Sequence, residues 1–262
     1  MTVDAQRFEV RLARNEDEIA AAQRLRYTVF VEEMGASATP EEHAERRERD
    51  AFDPHFDHLL LIDRSRDTGG VAHVVGVYRL LRGAVAKAGP GFYGQSEYDL
   101  APLLDLGRET VELGRSCVHP DYRGGAAMHL LWSGLGEYVI GHGIEVMFGV
   151  ASFHGTDVDA LSQPLSHLHH AHLAPPDLRV RALPEHFVAM DRLSPDAVDA
   201  KAAMRAMPPL IKAYLRLGGV VGEGAFVDHE FNTVDVCLLM DTARMQARYR
   251  DMYSRAARKA GA

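Results

Sequence analysis

The stretch Val111-Glu-Leu-Gly-Arg-Ser-Cys-Val118, followed by His-Pro-Asp-Tyr-Arg-Gly-Gly-Ala-Ala and then Met128-His-Leu-Leu-Trp132, decides how the chain folds. Small, branched and apolar residues up to Val118 are typical of a buried strand, and Pro120 ends it. Apolar residues then recur at helical spacing from Leu130 onward. The stretch therefore predicts a strand, a short turn and a helix.

Two charged side chains, Glu112 and Arg115, lie inside the predicted strand. Burying a charge is costly unless it is paired, so we expect these two to face a polar pocket or each other. Positions three apart point to opposite faces of a regular strand, but Gly114 between them favours a bulge that would turn both to one face. Two interpretations stay open: a functional pair, and an ion pair that only holds the sheet together.

The composition is that of an ordinary soluble protein. The chain has 262 residues, of which 47% are hydrophobic and 25% charged, and its formal net charge of −8 argues against general nucleic-acid binding. The two cysteines lack metal-type spacing, no apolar run approaches the roughly 18 residues of a membrane-spanning helix, and the N-terminal residues lack the apolar core of a signal peptide. We expect a cytoplasmic protein, with peripheral contact with a membrane left open.

Alternating and helical patterns continue along the chain. Phe8–Leu12 predicts a strand, and Asn15 followed by Glu18 predicts a helix start with a capping box. We expect that helix to reach about Met34, and the charged residues 35–50 to form a mobile segment. Other predicted elements are strands at Leu59–Ile62, Val71–Leu81, Val146–Ala151, Ala225–Phe231 and Thr233–Met240, and a helix at Leu210–Leu217.

The sequence predicts one domain over residues 1–262, because no internal repeat or domain-length linker is present. A His- and Pro-rich insertion occupies residues 154–206. The tail 242–262 is amphipathic and carries six basic residues and one acidic residue. It predicts a basic helix whose charged face is solvated, or docks an acidic carrier protein or an anionic membrane surface.

The central segment Glu112-Leu-Gly-Arg-Ser-Cys-Val118, with the following Pro-x-Tyr-Arg, resembles that of the GNAT-type ornithine N-acyltransferases, which make lyso-ornithine lipid. These enzymes are similar in fold to the acyl-homoserine-lactone synthases, whose central strand also carries Glu-Leu-x-Arg. The resemblance implies an α/β protein of the GNAT acyltransferase fold, with a central twisted mixed sheet flanked by helices. It covers roughly residues 8–241 and includes Met147–Ser152, Pro208–Gly218 and Asp228–Val236.

The resemblance implies that a 3-hydroxyacyl chain moves from acyl carrier protein to the α-amine of L-ornithine. In acyl-homoserine-lactone synthases, similar positions to those of the charged set form an acidic–basic cluster in the acceptor pocket. The members of that set here are Asp50, Asp53, Arg79, Glu112 and Arg115. A forked guanidinium suits an amino-acid carboxylate, and an acid suits the side-chain ammonium of ornithine. The alternative is that both acids cap a helix or solvate a loop. From the matching segments we also assign Ser152 and Asn232 to acceptor binding.

Glu112 is the predicted catalytic base, and Arg115 is assigned with it to the catalytic site. Aminolysis of a thioester needs a neutral α-amine, and a carboxylate accepts its proton directly or through water. Backbone N–H groups of the strand would polarise the thioester carbonyl. We expect Cys117 to be an inert strand thiol, because His119 would share its face only if the strand continued through Pro120.

The donor prediction depends on the start of the central helix. GNAT enzymes usually carry Gln/Arg-x-x-Gly-x-Gly/Ala there, and its backbone amides cradle the pyrophosphate of coenzyme A. Here Arg123-Gly-Gly-Ala-Ala-Met128 departs at the last two key positions, which favours the phosphopantetheine of an acyl carrier protein. No separate cofactor is expected. The residues assigned to donor binding are Cys117, Val118, Arg123, Gly124 and Gly125.

Histidines at 167, 169, 170 and 172, with His154 upstream, fit no familiar metal spacing, so no metal is predicted. Two alternative functions stay open. One is acylation of another small amine from acyl carrier protein, as in an acyl-homoserine-lactone synthase. The other is a non-catalytic GNAT domain that only binds acyl carrier protein, against which the retained Glu112 and Arg115 argue.

Overall fold

A computed structural model of the chain describes residues 7–66, 73–123 and 126–245, and these form two compact units. The first unit comprises the described residues up to 90 and those of 113–143, and the second comprises residues 91–112 and those from 144 onward. This division does not test the single-domain prediction. The predicted basic tail from residue 246 onward, Gly124 and Gly125 lie outside the described residues.

The chain contains nine strands and eight α-helices within its described ranges. The strands are β1 (Phe8–Leu12), β2 (Asp57–Asp63), β3 (Val74–Arg82), β4 (Tyr98–Asp99), β5 (Thr110–Val118), β6 (Val146–His154), β7 (Arg181–Ala182), β8 (Val220–Asp228) and β9 (Thr233–Asp241). The helices are α1 (Glu16–Arg26), α2 (Pro40–Glu45), α3 (Gly83–Ala88), α4 (Ala101–Leu104), α5 (Ala127–Gly141), α6 (Ser162–His172), α7 (Ala200–Ala206) and α8 (Pro209–Leu217).

The sheet of the first unit has the strand order β1-β2-β3-β5, with antiparallel pairing of β1 with β2 and of β2 with β3. Leu60 and Ile62 pack into one core with Ala22 and Leu25 of α1. Side chains alternate between faces along a strand, so Leu59 points the other way, where α5 contacts β1, β2 and β3. The two helices thus cover opposite faces of this sheet.

In the second unit, Thr110–Glu112 of β5 pair in parallel with β6, and the order continues through β9, β8, β7 and β4. Strand β6 pairs antiparallel with β9 along its whole length, and β9 pairs antiparallel with β8. The strands predicted at Ala225–Phe231 and Thr233–Met240 are confirmed and form this last antiparallel pair. Helices α6 and α8 pack on β8 and β9 respectively.

The predicted α/β class with mixed pairing is confirmed, as is the strand, turn and helix of the opening stretch. Strand β5 ends at Val118, a 3-10 turn spans Pro120–Tyr122, and α5 follows. None of the helices in the described ranges combines the length and apolarity needed to cross a bilayer.

Two local predictions near the N-terminus need correction. Asn15 Oδ1 accepts the Glu18 N–H at 3.0 Å as predicted, but the Glu18 carboxylate accepts the N–H of Arg14, so the reciprocal half of the capping box is wrong. The charged segment 35–50 contains α2, which begins with a complete capping box between Thr39 and Glu42. The long helix prediction is confirmed, because Tyr27–Glu33 continues α1 as a π-helix.

Candidate functional site

A buried cluster of three arginines and three carboxylates lies in the first unit, and we call it the ionic cluster. Helix α1, the segment before β2, and strands β3 and β5 each contribute to it. Its members are Arg26, Glu48, Asp50, Asp53, Arg79 and Arg115. Of the five residues in the predicted charged set, Asp50, Asp53, Arg79 and Arg115 are thus observed in a set of ion pairs. The fifth, Glu112, belongs to the second unit.

Asp53 is the carboxylate of the ionic cluster that pairs with both Arg26 and Arg79. Arg26 donates to its two oxygens at 2.7 and 2.9 Å, Arg79 donates at 2.8 Å, and Gln23 adds a bond of 2.9 Å. Burial alone would raise the pKa of Asp53, but the hydrogen bonds and charges of Arg26 and Arg79 outweigh it and hold that pKa well below its usual range. Asp53 is therefore an ionised anchor between two guanidinium groups.

The ionic cluster is more exposed to solvent on one side, which Asp50 and Arg115 form. Their side chains are 20% and 11% exposed, whereas that of Arg79 is 1% exposed. Arg115 Nε donates to Glu48 Oε1 at 3.1 Å, and its Nη2 reaches Asp50 Oδ2 at 3.4 Å. Asp50 and Arg115 are thus the members best placed to meet a ligand.

Glu48 joins the two ends of the ionic cluster. One carboxylate oxygen pairs with Arg26 Nε and the other with Arg115 Nε. Burial would raise the pKa of Glu48, but Arg115, Arg26 and Arg79 together lower it.

His58 lies beside the ionic cluster, with Nε2 at 3.0 Å from the Asp53 carbonyl oxygen, and burial lowers its pKa. The histidine is consequently neutral at pH 7.

Strand β5 contains one residue with an unusual backbone conformation, Arg115, whose φ of 49° lies in the left-handed region. Such a conformation costs about 1–3 kcal/mol for a residue with a side chain, and it persists where surrounding contacts hold it. The predicted irregularity beside Gly114 is therefore observed one residue later. Glu112 and Arg115 belong to different units, so their predicted common face stays a prediction.

Glu112 is buried in the second unit, where backbone groups bind its carboxylate. The N–H of Tyr93 donates to Oε2 at 2.7 Å, and that of Gly94 donates to Oε1 at 2.6 Å. A Cβ at position 94 would lie 2.9 Å from Oε1, so a larger residue there would displace the carboxylate. These charge-assisted bonds fix the orientation of the carboxylate.

The strand register of the second unit places several polar side chains on one face. Glu112 pairs with Phe148, which shares its face of β6 with Ser152, and Ser152 pairs with Asp235. Thr233, two residues before Asp235, points the same way. We call Glu112, Ser152, Thr233 and Asp235 the polar face. The predicted acceptor residue Ser152 thus lies beside one buried acid, Asp235.

Asn232, the other predicted acceptor residue, lies at the turn between β8 and β9. Its φ is 54°, a left-handed conformation that asparagine tolerates better than most residues. Its carbonyl accepts the N–H of Gly155 at 2.8 Å. The turn is sufficient to explain an asparagine here, and its role in acceptor binding stays a prediction.

The predicted donor-binding residues differ in accessibility. Cys117 is buried in the core beneath α1, and burial raises the pKa of its thiol to about 12, so the side chain stays protonated. A contact with donor would come from its backbone. Arg123 donates to the Val118 carbonyl at 3.0 Å and pairs with Glu33 at 2.7 Å.

A pocket lies in the first unit at the start of α5, the end assigned to the donor. Its lining includes three arginines, and Tyr122 forms part of the wall while donating to Asp63 at 2.6 Å. The lining residues are Arg7, Phe8, Arg66, Asp121, Tyr122, Arg123, Ala126 and Ala127. Guanidinium groups at a helix start suit an anionic group.

Within residues 7–66, 73–123 and 126–245, no group of three or more His, Cys, Asp or Glu side chains is arranged to hold a metal ion. Most of the predicted histidine group lies on α6, where His170 Nε2 contacts the Leu193 carbonyl oxygen at 2.8 Å. This histidine has a structural contact.

Three site residues were not predicted: Arg26, Glu48 and Asp235. Arg26 is a charged residue beside the apolar positions of α1, and Asp235 interrupts the apolar strand β9 just as Glu112 interrupts β5. Both signals were present in the sequence. Glu48 offered none, because it lies in a run of charged residues whose burial cannot be read from sequence.

Comparison with known proteins places this architecture among the acyltransferases. The acetyltransferase (GNAT) domain family matches residues 25–133. An L-ornithine N(alpha)-acyltransferase from Rhodobacter capsulatus is 58% identical over 248 residues, which cover 95% of this chain and 95% of that protein.

Two solved structures share the fold at low sequence identity. An N-acyl amino acid synthase from uncultured soil microbes has a TM-score of 0.54 and 12% identity, over 93% of this chain and 98% of that one. A CoA-dependent acyl-homoserine lactone synthase has a TM-score of 0.50 and 18% identity, over 95% and 89%.

The fold, the matching domain and the relatives define an acyltransferase of the GNAT class. Identity of 58% over nearly the full length is far above chance similarity. The chain belongs to the family of the L-ornithine N(alpha)-acyltransferases, as the resemblance of its central segment predicted.

Proposed function

We propose that this enzyme transfers a 3-hydroxyacyl chain from acyl carrier protein to the α-amine of L-ornithine, giving lyso-ornithine lipid. The 58% identity to a protein named for ornithine acylation supports the acceptor. The observation that carries the proposal is the ionic cluster, whose more open side presents Asp50 and Arg115.

In this proposal Arg115 binds the carboxylate of the acceptor, and Asp50 contacts its side-chain ammonium. A guanidinium fork matches a carboxylate in geometry and charge. Arg26, Asp53 and Arg79 are too deeply buried to contact the acceptor. They hold Asp50 and Arg115 in place. Glu48 orients Arg115 through the 3.1 Å bond to Nε.

The predicted chemistry is direct aminolysis. The neutral α-amine nitrogen attacks the thioester carbonyl carbon, the C–S bond breaks, and the phosphopantetheine thiolate leaves and is then protonated. Glu112 accepts the proton lost by the amine, directly or through water. Binding by two backbone N–H groups supports this role, because it orients the carboxylate.

The proposed donor is acyl carrier protein, for which the departure from the coenzyme A pattern at Arg123–Met128 is the support. Arg7, Arg66 and Arg123 around the pocket at the start of α5 suit the single phosphate of phosphopantetheine. Charge pairs with a carrier protein would be individually weak, about 0–1 kcal/mol each, and sensitive to salt.

The test is an acylation assay with purified protein, 3-hydroxyacyl carrier protein or 3-hydroxyacyl coenzyme A, and a panel of amino acids, with mass detection of the N-acyl product. We expect ornithine to be the preferred acceptor and carrier protein the preferred donor, with a rate that falls as salt is added. Equal rates with both donors would contradict the donor assignment. Preference for a different amine would contradict the acceptor assignment.

A further inference from the structure

Gly114 lies in the middle of β5, where glycine is an unfavourable residue. Glycine loses more conformational freedom on folding than any other residue, and it has no side chain to pack against its neighbours. A glycine inside a strand usually has one of three reasons: a left-handed backbone, atoms of the protein so close that a Cβ would clash, or the close approach of a ligand. The first two reasons can be tested on the structure directly.

The backbone and the surroundings of Gly114 supply neither of these two reasons. The left-handed conformation in β5 belongs to Arg115, and Gly114 itself has no positive φ. Leaving aside its chain neighbours, a Cβ added at position 114 would have Phe56 Cε1 as its nearest described neighbour, at 4.0 Å, which is ordinary van der Waals contact. A Cβ added to Gly76 of β3 would instead lie 2.8 Å from Leu131. Position 114 therefore has room for a side chain that the chain does not supply.

The room at position 114 lies beside the ionic cluster. The Phe56 ring that borders it also stacks on Arg79, whose guanidinium carbon is 4.4 Å from the ring centroid. Phe56 is 6% exposed, so its ring is an apolar wall fixed by the core. Gly114 directly precedes Arg115, and all of these residues belong to the first unit. The space thus combines an apolar wall with a neighbouring guanidinium.

Strand β5 is accessible to solvent at this point. Gly114, Arg115 and Ser116 are partly exposed, whereas the other six residues of the strand are buried. Asp50, which contacts Arg115 at 3.4 Å, is partly exposed as well. A small molecule that contacts Asp50 and Arg115 can therefore also reach the space beside Gly114.

The acceptor contains a part that matches this space. In the proposed function Arg115 binds its carboxylate and Asp50 its side-chain ammonium, and methylene groups join these two ends of ornithine. Methylene groups gain free energy when they leave water for an apolar surface. Phe56 supplies such a surface next to Arg115, and the absence of a side chain at position 114 leaves the room.

We propose that the space beside Gly114 holds the aliphatic side chain of the acceptor, which makes Gly114 a specificity-determining residue. This inference rests on the proposed ornithine acylation and adds a limit on acceptor length to it. A methyl group at position 114 would occupy room that the methylene groups of ornithine need, and a shorter diamino acid would need less of that room.

The experiment compares ornithine with 2,4-diaminobutyrate, which carries the same charged groups on a chain one methylene shorter. For Gly114→Ala we expect kcat/KM for ornithine to fall about tenfold, mainly through a higher KM, because the methyl group takes the room of about one methylene. The value for 2,4-diaminobutyrate should stay within about threefold of wild type. Gly114→Val should lower the ornithine value further, to about a hundredth of wild type.

Urea unfolding separates this effect from a folding defect. Replacing glycine by alanine restricts the unfolded chain, and the added Cβ at position 114 meets no clash, so Gly114→Ala should unfold at the same urea concentration as wild type or a higher one. Gly141→Ala is the matched control. Gly141 lies in α5 without a positive φ, and its added Cβ has none of the described atoms within 4 Å. It should leave the kinetics with both acceptors unchanged.

The outcomes separate this inference from the proposed function. Wild-type protein that acylates ornithine, together with unchanged ornithine kinetics in Gly114→Ala and Gly114→Val, would overturn the inference alone. Equal losses on both acceptors would also overturn it, because the space would then serve the donor or the fold. A lower urea midpoint in Gly114→Ala would do the same, since glycine would then have a structural reason. Wild-type protein without activity on ornithine would overturn both. A shift of preference towards 2,4-diaminobutyrate at unchanged stability supports the inference.

Discussion

The ionic cluster and the polar face bury acids in two different ways. In the ionic cluster, each carboxylate meets guanidinium groups, as Asp53 does between Arg26 and Arg79. On the polar face, Glu112 receives two backbone N–H groups and Thr233 offers a hydroxyl. Guanidinium partners balance the charge of the carboxylates and fix their geometry, whereas the two backbone donors orient the Glu112 carboxylate through neutral groups. The comparison teaches that the first arrangement suits positioning and the second suits proton transfer.

The strongest test of this difference is Glu112→Gln. We expect kcat/KM to fall about 10²- to 10⁴-fold at neutral pH, because an amide does not accept the amine proton. The measurement is the pH–rate profile with ornithine and saturating acyl carrier protein. In wild-type protein the rate should rise with pH as the carboxylate ionises, and this rise should be absent in the variant.

Gly94→Ala is the control for a merely structural Glu112. An added Cβ would lie 2.9 Å from Oε1, so it disturbs the orientation of the acid while keeping its charge. Near-normal turnover in Glu112→Gln would remove Glu112 as the base. Equal losses of kcat/KM in both variants, with the pH dependence of the rate unchanged, would mean that Glu112 only supports the turn at residues 93–94.

Arg26→Ala should give the largest loss of stability in the first unit. It leaves the buried carboxylates of Glu48 and Asp53 short of a cation, which costs about 3–5 kcal/mol. Urea unfolding measures the free energy. Arg64→Ala, which breaks an exposed pair with Glu9, should cost about 0–1 kcal/mol. Similar values for the two variants would mean that the cluster is solvated.

Asp50→Ala and Asp53→Ala separate ligand contact from anchoring. The sequence predicts that both raise the acceptor KM more than they lower kcat. We expect about a tenfold rise in KM for Asp50→Ala, whose side chain is partly exposed, with little loss of stability. Asp53→Ala should also destabilise the fold, because Arg26 and Arg79 lose their shared partner. Unchanged acceptor kinetics in Asp50→Ala would place it outside the binding site.

The smallest predicted effect concerns His58 and pH. Its pKa is below the unfolded value of about 6.5, so the unfolded state binds the proton more readily. Its contribution to stability is complete above about pH 6.5, the pKa in the unfolded state, and is lost as the pH falls from there towards the pKa in the folded state. The free energy of unfolding falls by at most about 1.4 kcal/mol per pH unit over that range. Urea unfolding from pH 7.5 to 5 should show this slope in wild-type protein and a flatter line in His58→Gln.

A persistent slope in His58→Gln would assign the effect to another group. Asp53 does not contribute in that window. Its pKa is lowered in the folded state, so its stabilisation is lost only as pH falls below the unfolded value of about 3.9.

Sequence reasoning predicted the elements around β5 because its apolar strand and its helical periodicity are both local signals. It brought Asp50, Asp53 and Arg79 together only through a family resemblance, since spacing does not show that distant segments meet. Helix α2 was missed because it is short, mostly polar and has no buried residue, so no apolar periodicity indicates a helix. Its capping box, Thr39 with Glu42, was nevertheless readable.

Asn232 and Asp235 show how far residue type alone indicates a role. Asn232 is predicted to bind the acceptor, and its left-handed backbone at the turn between β8 and β9 is a second reason for an asparagine at this position. Asp235 was passed over although an acid in an apolar strand is as informative as Glu112. The division into two compact units has no local signal, because the boundary falls inside β5.

The left-handed backbone at Arg115 has a consequence for how this position tolerates substitution. Replacing Arg115 with each other amino acid should give two different rankings. Stability should follow the ease of adopting positive φ, so glycine and asparagine should fold well and valine and isoleucine poorly. Acyl transfer should follow the guanidinium instead, leaving lysine ahead of glycine. The amino acid that gives the most stable fold at position 115 is therefore not one that supports acyl transfer.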